Sequence, residues 1–472
     1  MHKAFQTKST LLLLLLLSAL TIAAQKKKSS VAPPAPITAG ADHALVTTTS
    51  GKLRGYTHNG IFTFKGIPYG KAERFQPAVP VKWEGVRSSM TYGPVCPIDF
   101  NPNINDESEF LFHHDWGFSS EDCLRLNIWS KGINDGKKRP VMVWLHGGGY
   151  SAGSSQELPS YDGESISNKG DVVLVSINHR LNVLGFLDMS AYGEKYKSSA
   201  NAGMIDIVTA LQWIKDNISA FGGDPGNVTI FGQSGGGGKV ITLMNAPSAK
   251  GLFHKAIAQS GVVSTFRDKA ITKRVSAALL EELGYQPSQA DALLYTPYQT
   301  LLAASKKATA KVQEQLKNEG KPVPGFGLGW SPSLDGEFLP YQPGTAEAVA
   351  IAKDVPLLIG SVKNEFMMSL GNPKIRKGSE ADVKEVIKNI YKEKADDFIA
   401  AVKKAYPNDT RPSDLVDVDT RFRPGVLTAS KIKATADQAP VYMYMFTWQS
   451  PVFDGDFKAV HCMELPFVFN NI

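Results

Sequence analysis

The sequence predicts an α/β fold with a central, mostly parallel β-sheet, antiparallel strands near the N-terminus and helical insertions over the sheet. Residues 140–145 and 171–177 are continuous apolar runs of strand length, as in strands buried on both faces of a parallel sheet. Between residues 205 and 218 apolar side chains recur at helical spacing, and a further apolar run, 228–231, follows. Strand, helix and strand in this order indicate a right-handed parallel crossover.

The rest of the chain supplies further strands and two polar helical regions. Strand-like stretches occur at 44–49, 51–56, 61–64, 355–359 and 441–448. Glycine separates the first three, which is typical of antiparallel strands. Residues 269–317 and 380–406 carry helical patterns and lie between strands, so we interpret them as insertions. With 472 residues, of which 43% are hydrophobic and 20% charged, the chain can bury a large core.

The N-terminal residues have the layout of a secretory signal. Two lysines precede an apolar stretch that ends in the small residues Ala23 and Ala24. That stretch, 11–24, is shorter than the about 20 residues that a membrane-spanning helix needs. The predicted segments are a signal peptide at 1–24, a linker at 25–42 and a folded domain at 43–472. We therefore expect a secreted or periplasmic protein with no membrane span in the mature chain.

The basic charge gives no support for nucleic-acid binding. Lysines before Ser29 account for five of the six net positive charges at pH 7. The folded part is therefore close to neutral, whereas nucleic-acid-binding domains carry a basic patch.

Two stretches match G-x-S-x-G, the sharp turn that exposes a nucleophilic serine above a sheet. They are residues 149–153, around Ser151, and residues 232–236, around Ser234. Only Ser234 follows a predicted strand and precedes apolar residues that can form a helix. Gly238-Lys239 resembles the end of a phosphate-binding loop, but that motif also requires glycine at position 233 and serine or threonine at position 240. Ser234 is therefore the predicted nucleophile.

A serine nucleophile needs a histidine base, and the base needs an orienting acid. Two histidines, His254 and His461, follow Ser234, but no Asp or Glu lies between Ser234 and His254, so the order nucleophile, acid, histidine selects His461. Glu365, just beyond the strand 355–359, is favoured as the acid. Further candidates for the acid by position alone are Asp335, Asp417 and Asp419.

The segment His146-Gly-Gly-Gly149 follows the strand 140–145 and fits an oxyanion-binding loop. Its amide groups, with that of Gly235, can face a developing negative charge on the substrate. Losing one such donor typically costs about 2.7 to 4 kcal/mol of transition-state stabilisation. His113-His114-Asp115 lacks a spaced partner for a metal, so we predict no metal site and no cofactor.

Several motifs together resemble the type B carboxylesterase family, the cholinesterase-like serine esterases of the α/β-hydrolase fold. They are residues 64–69, 120–127, 146–149, 178–180, 221–225, 232–236, 259–261 and 461–467. The resemblance implies that Ser234, Glu365 and His461 form a catalytic triad and that Gly148, Gly149 and Gly235 are the oxyanion donors. It also implies a disulfide bond between Cys96 and Cys123.

The chain departs from the family pattern at three places. Gln233 and Gly235 stand where Glu and Ala are common, and Trp116 is offset from the family's choline-binding tryptophan. Cholinesterase activity is therefore not expected. The chain also ends at Ile472, where family members usually continue, and a C-terminal truncation is expected on that ground.

The functional hypothesis is a secreted serine carboxylic-ester hydrolase that forms an acyl-enzyme from a small-molecule ester. The alternative hypothesis is a non-enzymatic, cholinesterase-like binding or adhesion protein. Such a protein characteristically lacks the nucleophile, whereas this chain retains Ser234 and its partners.

Overall fold

The computed structural model of the chain describes residues 36–99, 113–323, 327–435 and 439–471. All elements below belong to one compact unit, Thr38–Ile472. Its strands are β1 (Leu45–Thr48), β2 (Gly51–Arg54), β3 (Tyr56–His58), β4 (Ile61–Pro68), β5 (Val86–Ser88), β6 (Arg125–Ser130), β7 (Arg139–Leu145), β8 (Val173–Ile177), β9 (Gly223–Gln233), β10 (Lys255–Gln259), β11 (Arg267–Asp268), β12 (Ser333–Leu334), β13 (Leu357–Val362) and β14 (Val441–Phe446).

The α-helices in the described residues are α1 (Glu164–Gly170), α2 (Asn182–Phe186), α3 (Ala202–Asn217), α4 (Gly235–Met244), α5 (Lys269–Glu282), α6 (Tyr298–Asn318), α7 (Ala346–Ile351), α8 (Pro373–Arg376), α9 (Glu380–Tyr391), α10 (Ala395–Ala405), α11 (Phe422–Lys433) and α12 (Leu465–Phe469). Short 3-10 turns connect several of them, the longest at Pro287–Leu294 between α5 and α6.

The central sheet confirms the predicted α/β fold. Its nine strands in the described residues run in the order β14-β13-β10-β9-β7-β8-β6-β4-β3. Every neighbouring pair from β8 to β14 is parallel, and the pairs that join β8, β6, β4 and β3 are antiparallel. All residues of β6 and β8 are buried, because helices cover both faces of the sheet.

The predicted N-terminal strands form, but they divide between two sheets. β1 and β2 pair antiparallel and join β5 in a separate three-stranded sheet, whereas β3 and β4 extend the central sheet. The two polar helical regions also form, as α5 with α6 and as α9 with α10. The composition of a short strand identifies the strand but not its partner, so this division was not predicted.

The register of the parallel strands determines where their carboxyl ends lie. Gln233 at the end of β9 pairs with Gln259 of β10, and Gln259 pairs with Gly360 of β13. Residues that follow these strands therefore lie along one edge of the sheet, where ligands bind in open α/β sheets.

The predicted signal peptide and most of the predicted linker, residues 1–35, lie outside the described residues, and their assignment stays a prediction. Within the rest of the linker, Thr38 pairs with Thr57 through two backbone hydrogen bonds of 2.8 and 2.9 Å. Among the helices of the described residues, none is both long and apolar enough to cross a membrane.

Cys96 and Cys123 are buried neighbours, and both are free thiols in the structure. A hydrogen bond with Cys96, together with burial, raises the pKa of the Cys123 thiol well above its usual value. The Cys96 sulfur also accepts a hydrogen bond from the backbone of Leu181, at 3.2 Å. The disulfide bond implied by the resemblance is therefore not formed in the structure and stays a prediction.

Candidate active site

Ser234 lies in a sharp turn between β9 and α4, as its motif predicts. Its backbone has φ 57° and ψ −122°, a conformation that residues other than glycine rarely adopt. Its amide donates to Gln259 O at 2.8 Å. The surrounding glycines are required by close packing, since a Cβ on Gly261 would lie 1.8 Å from Ser234 O. The turn therefore holds the serine at the carboxyl edge of the sheet, where it is half-buried.

The second G-x-S-x-G stretch has a different local structure. Ser151 is followed by turns and bends instead of a helix. Its amide donates to Gly148 O at 3.3 Å, so it belongs to the loop after β7. The sequence criterion that separated the two serines was a helix directly after the motif. In the structure such a helix follows Ser234 and does not follow Ser151.

His461 and Glu365 are brought together by two loops, one after β13 and one after β14. His461 Nδ1 lies 2.5 Å from Glu365 Oε2, and the His461 amide donates to Glu365 O at 3.1 Å. The second carboxylate oxygen of Glu365 accepts from the amide of Val362 at 3.0 Å. Both side chains are buried, with 6% of His461 and 1% of Glu365 exposed. The carboxylate therefore fixes the orientation of the imidazole through Nδ1.

The other acid candidates are engaged elsewhere. Asp335 accepts from the Asn201 side chain at 2.8 Å. Asp417 bonds to Lys458 Nζ at 2.7 Å. Asp419 caps the start of α11 by accepting three backbone amides. Of the four carboxylates, Glu365 is the one with a hydrogen bond to His461.

His254 and His114 make local contacts away from Ser234. His254 Nδ1 accepts from the amide of Val228 in β9, five residues before the end of that strand. The ring of His114 stacks on Trp116 with centroids 4.5 Å apart. No cluster of three or more metal-binding side chains occurs within the described residues.

Gln233, the residue before Ser234, connects the turn to the histidine. Its Nε2 lies 3.3 Å from His461 Nε2 and 3.4 Å from Nδ1, so the amide lies over the ring. Its Oε1 accepts from the Cys462 thiol at 3.2 Å. No hydrogen bond joins Ser234 Oγ to the His461 ring in the described part of the chain; catalytic hydrogen bonds of this kind often tighten only in the substrate complex.

The oxyanion-type loop lies against the serine turn. Gly148 and Gly149 have φ values of 78° and 61°, which glycine adopts without strain. A Cβ on Gly235 would lie 2.4 Å from the backbone of Gly149, and one on Gly147 would lie 3.6 Å from Ser234 Cβ. Neither the Gly148 nor the Gly149 amide donates to another described residue. These donors are therefore available to a ligand beside Ser234.

Five buried ionisable groups lie near this loop: Lys239, Glu157, Glu464, His146 and His179. Burial lowers the pKa of Lys239 to about 7, despite the nearby Glu157 carboxyl. Burial raises the pKa of Glu157 to about 8, and that of Glu464 to about 8. Burial and the Lys239 charge hold the pKa values of His146 and His179 well below their usual range. Burial therefore disfavours the charged forms of these five groups.

Aromatic rings cover the other side of the histidine. Phe366 and Phe422 stack on the His461 ring, with centroids 4.4 and 5.3 Å from it. The same two rings line a cavity of about 330 Å³, together with side chains from the second helical insertion, including Tyr391 and Phe398. Asp419, Thr420 and Arg421 also line this cavity, so its wall is partly apolar and partly polar.

A sequence profile of the carboxylesterase family matches residues 42–472. The chain belongs to the carboxylesterase family. It is therefore a carboxylic-ester hydrolase with the α/β-hydrolase fold, and its substrates are small esters.

Several relatives are named esterases. The chain is 37% identical to para-nitrobenzyl esterase of Bacillus subtilis (strain 168), over 91% of this chain and 83% of that protein. It is 33% identical to phenmedipham hydrolase of Pseudarthrobacter oxydans, over 90% of this chain and 82% of that protein. The chain is structurally similar to an esterase from Clostridium hathewayi that is described as hydrolysing aliphatic aromatic polyesters. The TM-score is 0.79 and the sequence identity 39%, over 93% of this chain and 85% of the other.

Three contacts at the site have no counterpart among the sequence predictions. They are the Gln233 amide over the His461 ring, the stacking of Phe366 on that ring, and the burial of Lys239 below the glycine loop. For Gln233 the available signal was its position beside the nucleophile. For Lys239 the available signal was the presence of a charged residue within an apolar helix. Phe366 carried no signal, because aromatic residues are more often part of the core.

Proposed function

We propose that this carboxylesterase uses Ser234 as nucleophile, His461 as base and Glu365 as the acid that orients His461. The observation that carries the proposal is the short His461–Glu365 hydrogen bond at the sheet edge where the Ser234 turn lies. A serine, an imidazole and a carboxylate in this order are sufficient for acyl transfer.

In the first half of the reaction Ser234 becomes acylated. The Ser234 oxygen attacks the ester carbonyl carbon while its proton passes to His461 Nε2. The resulting oxyanion accepts hydrogen bonds from the amides of Gly148, Gly149 and Gly235. The bond between the carbonyl carbon and the alcohol oxygen then breaks, and the alcohol leaves with the proton from His461. Glu365 stabilises the imidazolium throughout and keeps its own charge.

In the second half water releases the acid. His461 accepts a proton from a water molecule as that water attacks the acyl carbon. The second oxyanion uses the same amide donors. When it collapses, the bond to the Ser234 oxygen breaks, the serine regains its proton from His461, and the carboxylic acid leaves.

We also propose that the preferred substrates are uncharged esters with an apolar or aromatic group. The aromatic rings of Phe366 and Phe422 stack on His461, and Gln233 next to the nucleophile carries no charge. Contact of a substrate with such rings gains affinity from burial of hydrocarbon surface. The names of the B. subtilis and C. hathewayi relatives, which refer to aromatic esters, support this class.

A fluorophosphonate probe tests the nucleophile directly. Mass spectrometry of the labelled, folded protein is expected to find the adduct on Ser234, with loss of label in Ser234→Ala and retention in Ser151→Ala. Short para-nitrophenyl esters are expected to give an initial burst of nitrophenol. An adduct on another serine, or hydrolysis by Ser234→Ala at the wild-type rate, would overturn the assignment of Ser234 as nucleophile.

Export is the final part of the proposal, supported by the layout of residues 1–24. Expression of the full chain in a bacterial host is expected to place the esterase outside the cytoplasm, cleaved near Ala24. Removal of residues 1–24 is expected to retain it in the cytoplasm. N-terminal sequencing of the exported protein tests the cleavage position, and an uncleaved cytoplasmic product from the full chain would contradict the proposal.

A further inference from the structure

Lys239 is an unusual residue in the helix that follows the nucleophile. It lies in α4, five residues after Ser234, and 0% of it is exposed. Lysine is almost never fully buried unless its ammonium has a partner. Its Nζ donates to the backbone oxygen of His146 at 2.8 Å. The buried lysine therefore joins the serine helix to the first residue of the glycine loop.

The contact lies where α4 packs closely on the end of β7. A Cβ on Gly236 would lie 1.9 Å from Leu145 O and 3.0 Å from His146 O, so only glycine fits there. Lys239 follows three residues later, on the same face of the helix. The glycines bring the helix close to the strand end, and the lysine then bonds to the first carbonyl of the loop.

Each of the first three carbonyls of the loop accepts a hydrogen bond. His146 O accepts from Lys239, Gly147 O from His146 Nδ1 at 3.0 Å, and Gly148 O from the amide of Ala152 at 3.0 Å. In a trans peptide the carbonyl of one residue and the amide of the next point in opposite directions in one plane. These three bonds therefore orient the amides of Gly147, Gly148 and Gly149.

Three successive glycines would otherwise leave this loop free to rotate, whereas an oxyanion site needs donors that are fixed before the reaction. The surrounding groups favour a donor that works in either charge state. Glu157 lies near Lys239, and the neutral rings of His146 and His179 stack with centroids 5.2 Å apart. An amine and an ammonium both carry N–H groups, so the bond to His146 O does not depend on the protonation of Lys239.

We propose that Lys239 is a positioning residue for ester hydrolysis: its hydrogen bond to His146 O fixes the first peptide plane of the loop, which carries the Gly147 amide. This plane sets the direction in which the chain enters the next two planes, which carry the oxyanion donors of Gly148 and Gly149. This rests on the proposed function, since it assumes that the loop binds the oxyanion. It acts on the transition state and not on the ground state of the substrate.

The test compares Lys239→Met with Lys433→Met. Lys433 is a matched control, because it is also buried and donates to backbone oxygens, those of Ala352 and Lys353, at the far end of α11. Active sites are counted with the fluorophosphonate probe, so that kcat refers to folded enzyme. Lys239→Met is expected to lower kcat about tenfold or more with KM within about twofold, the pattern of lost transition-state stabilisation.

A trifluoromethyl ketone, which forms a charged hemiketal with the serine, is expected to bind Lys239→Met more weakly by the same factor, and Lys433→Met as tightly as wild type. If Lys239→Met does not fold, Lys239→Gln, which keeps an N–H donor, is expected to show the same loss to a smaller degree. Equal kcat and equal ketone affinity in the Lys239 and Lys433 variants would overturn the inference. Absence of a Ser234 adduct in the wild type would instead overturn the proposed function.

Discussion

Glu365 Oε2 and His461 Nδ1 lie 2.5 Å apart although 96 residues separate them in the chain. The two loops that carry them leave neighbouring parallel strands, β13 and β14, at the same edge of the sheet. A second backbone contact, from the His461 amide to Glu365 O, holds the loops in register. The pair is thus positioned by the sheet and not only by its own attraction.

Glu365→Gln is expected to keep the fold and to lower kcat by about 10³- to 10⁴-fold. A glutamine amide at this position has the shape of the carboxylate but does not stabilise the imidazolium, and it can select the wrong tautomer of His461. Steady-state kinetics with para-nitrophenyl acetate, together with circular dichroism, measure the effect.

Asp335→Asn provides the control for Glu365→Gln, since Asp335 is an acid candidate that bonds to Asn201 and not to a histidine. Its kcat is expected to stay within about threefold of wild type. A comparable loss of kcat in both variants would show that the effect of Glu365 is structural.

Gln233→Glu is expected to move the acidic limb of the activity profile to higher pH by on the order of one unit. A carboxylate about 3.3 Å from the imidazole nitrogens favours the protonated ring, which cannot accept the proton of Ser234. The profile of kcat/KM between pH 5 and 9 measures the shift. Gln233→Met, which has no charge, is the control, and an equal shift in both variants would contradict the electrostatic explanation.

The parts of the candidate site that depend on local motifs could be proposed from the sequence alone. Ser234 could be recognised because a strand, a glycine-rich turn and a helix must be consecutive in the chain to expose a serine. The choice of Glu365 needed more, because Asp417 and Asp419 also lie between the serine and the histidine. In the structure Asp417 bonds to Lys458, which lies far away in the sequence. Asp419 accepts backbone amides at the start of α11, a contact that depends on where that helix begins.

Contacts across the sheet edge were not predictable in the same way. The burial of Lys239 depends on how closely α4 approaches β7, and the stacking of Phe366 on His461 depends on the path of two loops. Neither distance has a signature in residue type or spacing. The same limit applies to β2, whose partner β5 was not identified as a strand.

Asp206→Ala is expected to destabilise the protein by about 3–5 kcal/mol. Arg180 and Asp206 form a bidentate pair, with N–O distances of 2.7 and 2.8 Å and side-chain exposures of 5% and 0%. Removal of the carboxylate leaves a buried guanidinium without its partner. Urea unfolding measures the loss.

The exposed pair Lys197–Glu194 is the matched control for Asp206→Ala. Its side chains are 55% and 84% exposed, and Glu194→Ala is expected to unfold at nearly the same urea concentration as wild type. A loss below about 1 kcal/mol in Asp206→Ala would contradict the role assigned to the buried pair.

Oxidation of Cys96 and Cys123 is expected to stabilise the exported protein by about 3 kcal/mol, because the bond would close a loop in the unfolded chain. The chain has three cysteines, so thiol titration of the denatured protein is expected to find one free thiol after export and three after reduction. Cys462→Ala should remove the remaining thiol of the exported form. Three thiols in the exported protein would exclude the bond.

Glu464 is expected to make the protein less stable as the pH rises. Its carboxyl oxygens are buried with no hydrogen-bond partner in the described residues, and burial raises its pKa from 4.5 to about 8. Between these two pH values the folded protein binds a proton that the unfolded chain does not. The stabilisation is therefore complete below about pH 4.5 and is lost as the pH rises through about 8.

Glu464→Gln keeps the shape of the side chain and removes its titration. The difference in unfolding free energy between wild type and this variant is expected to shift by about 2–4 kcal/mol between pH 5 and pH 8, in favour of the variant at the higher pH. Urea unfolding at the two pH values measures it, and other titrating groups cancel because both proteins contain them. A difference that stays constant with pH would mean that Glu464 is ionised in the folded protein at pH 5 and has a partner in solution.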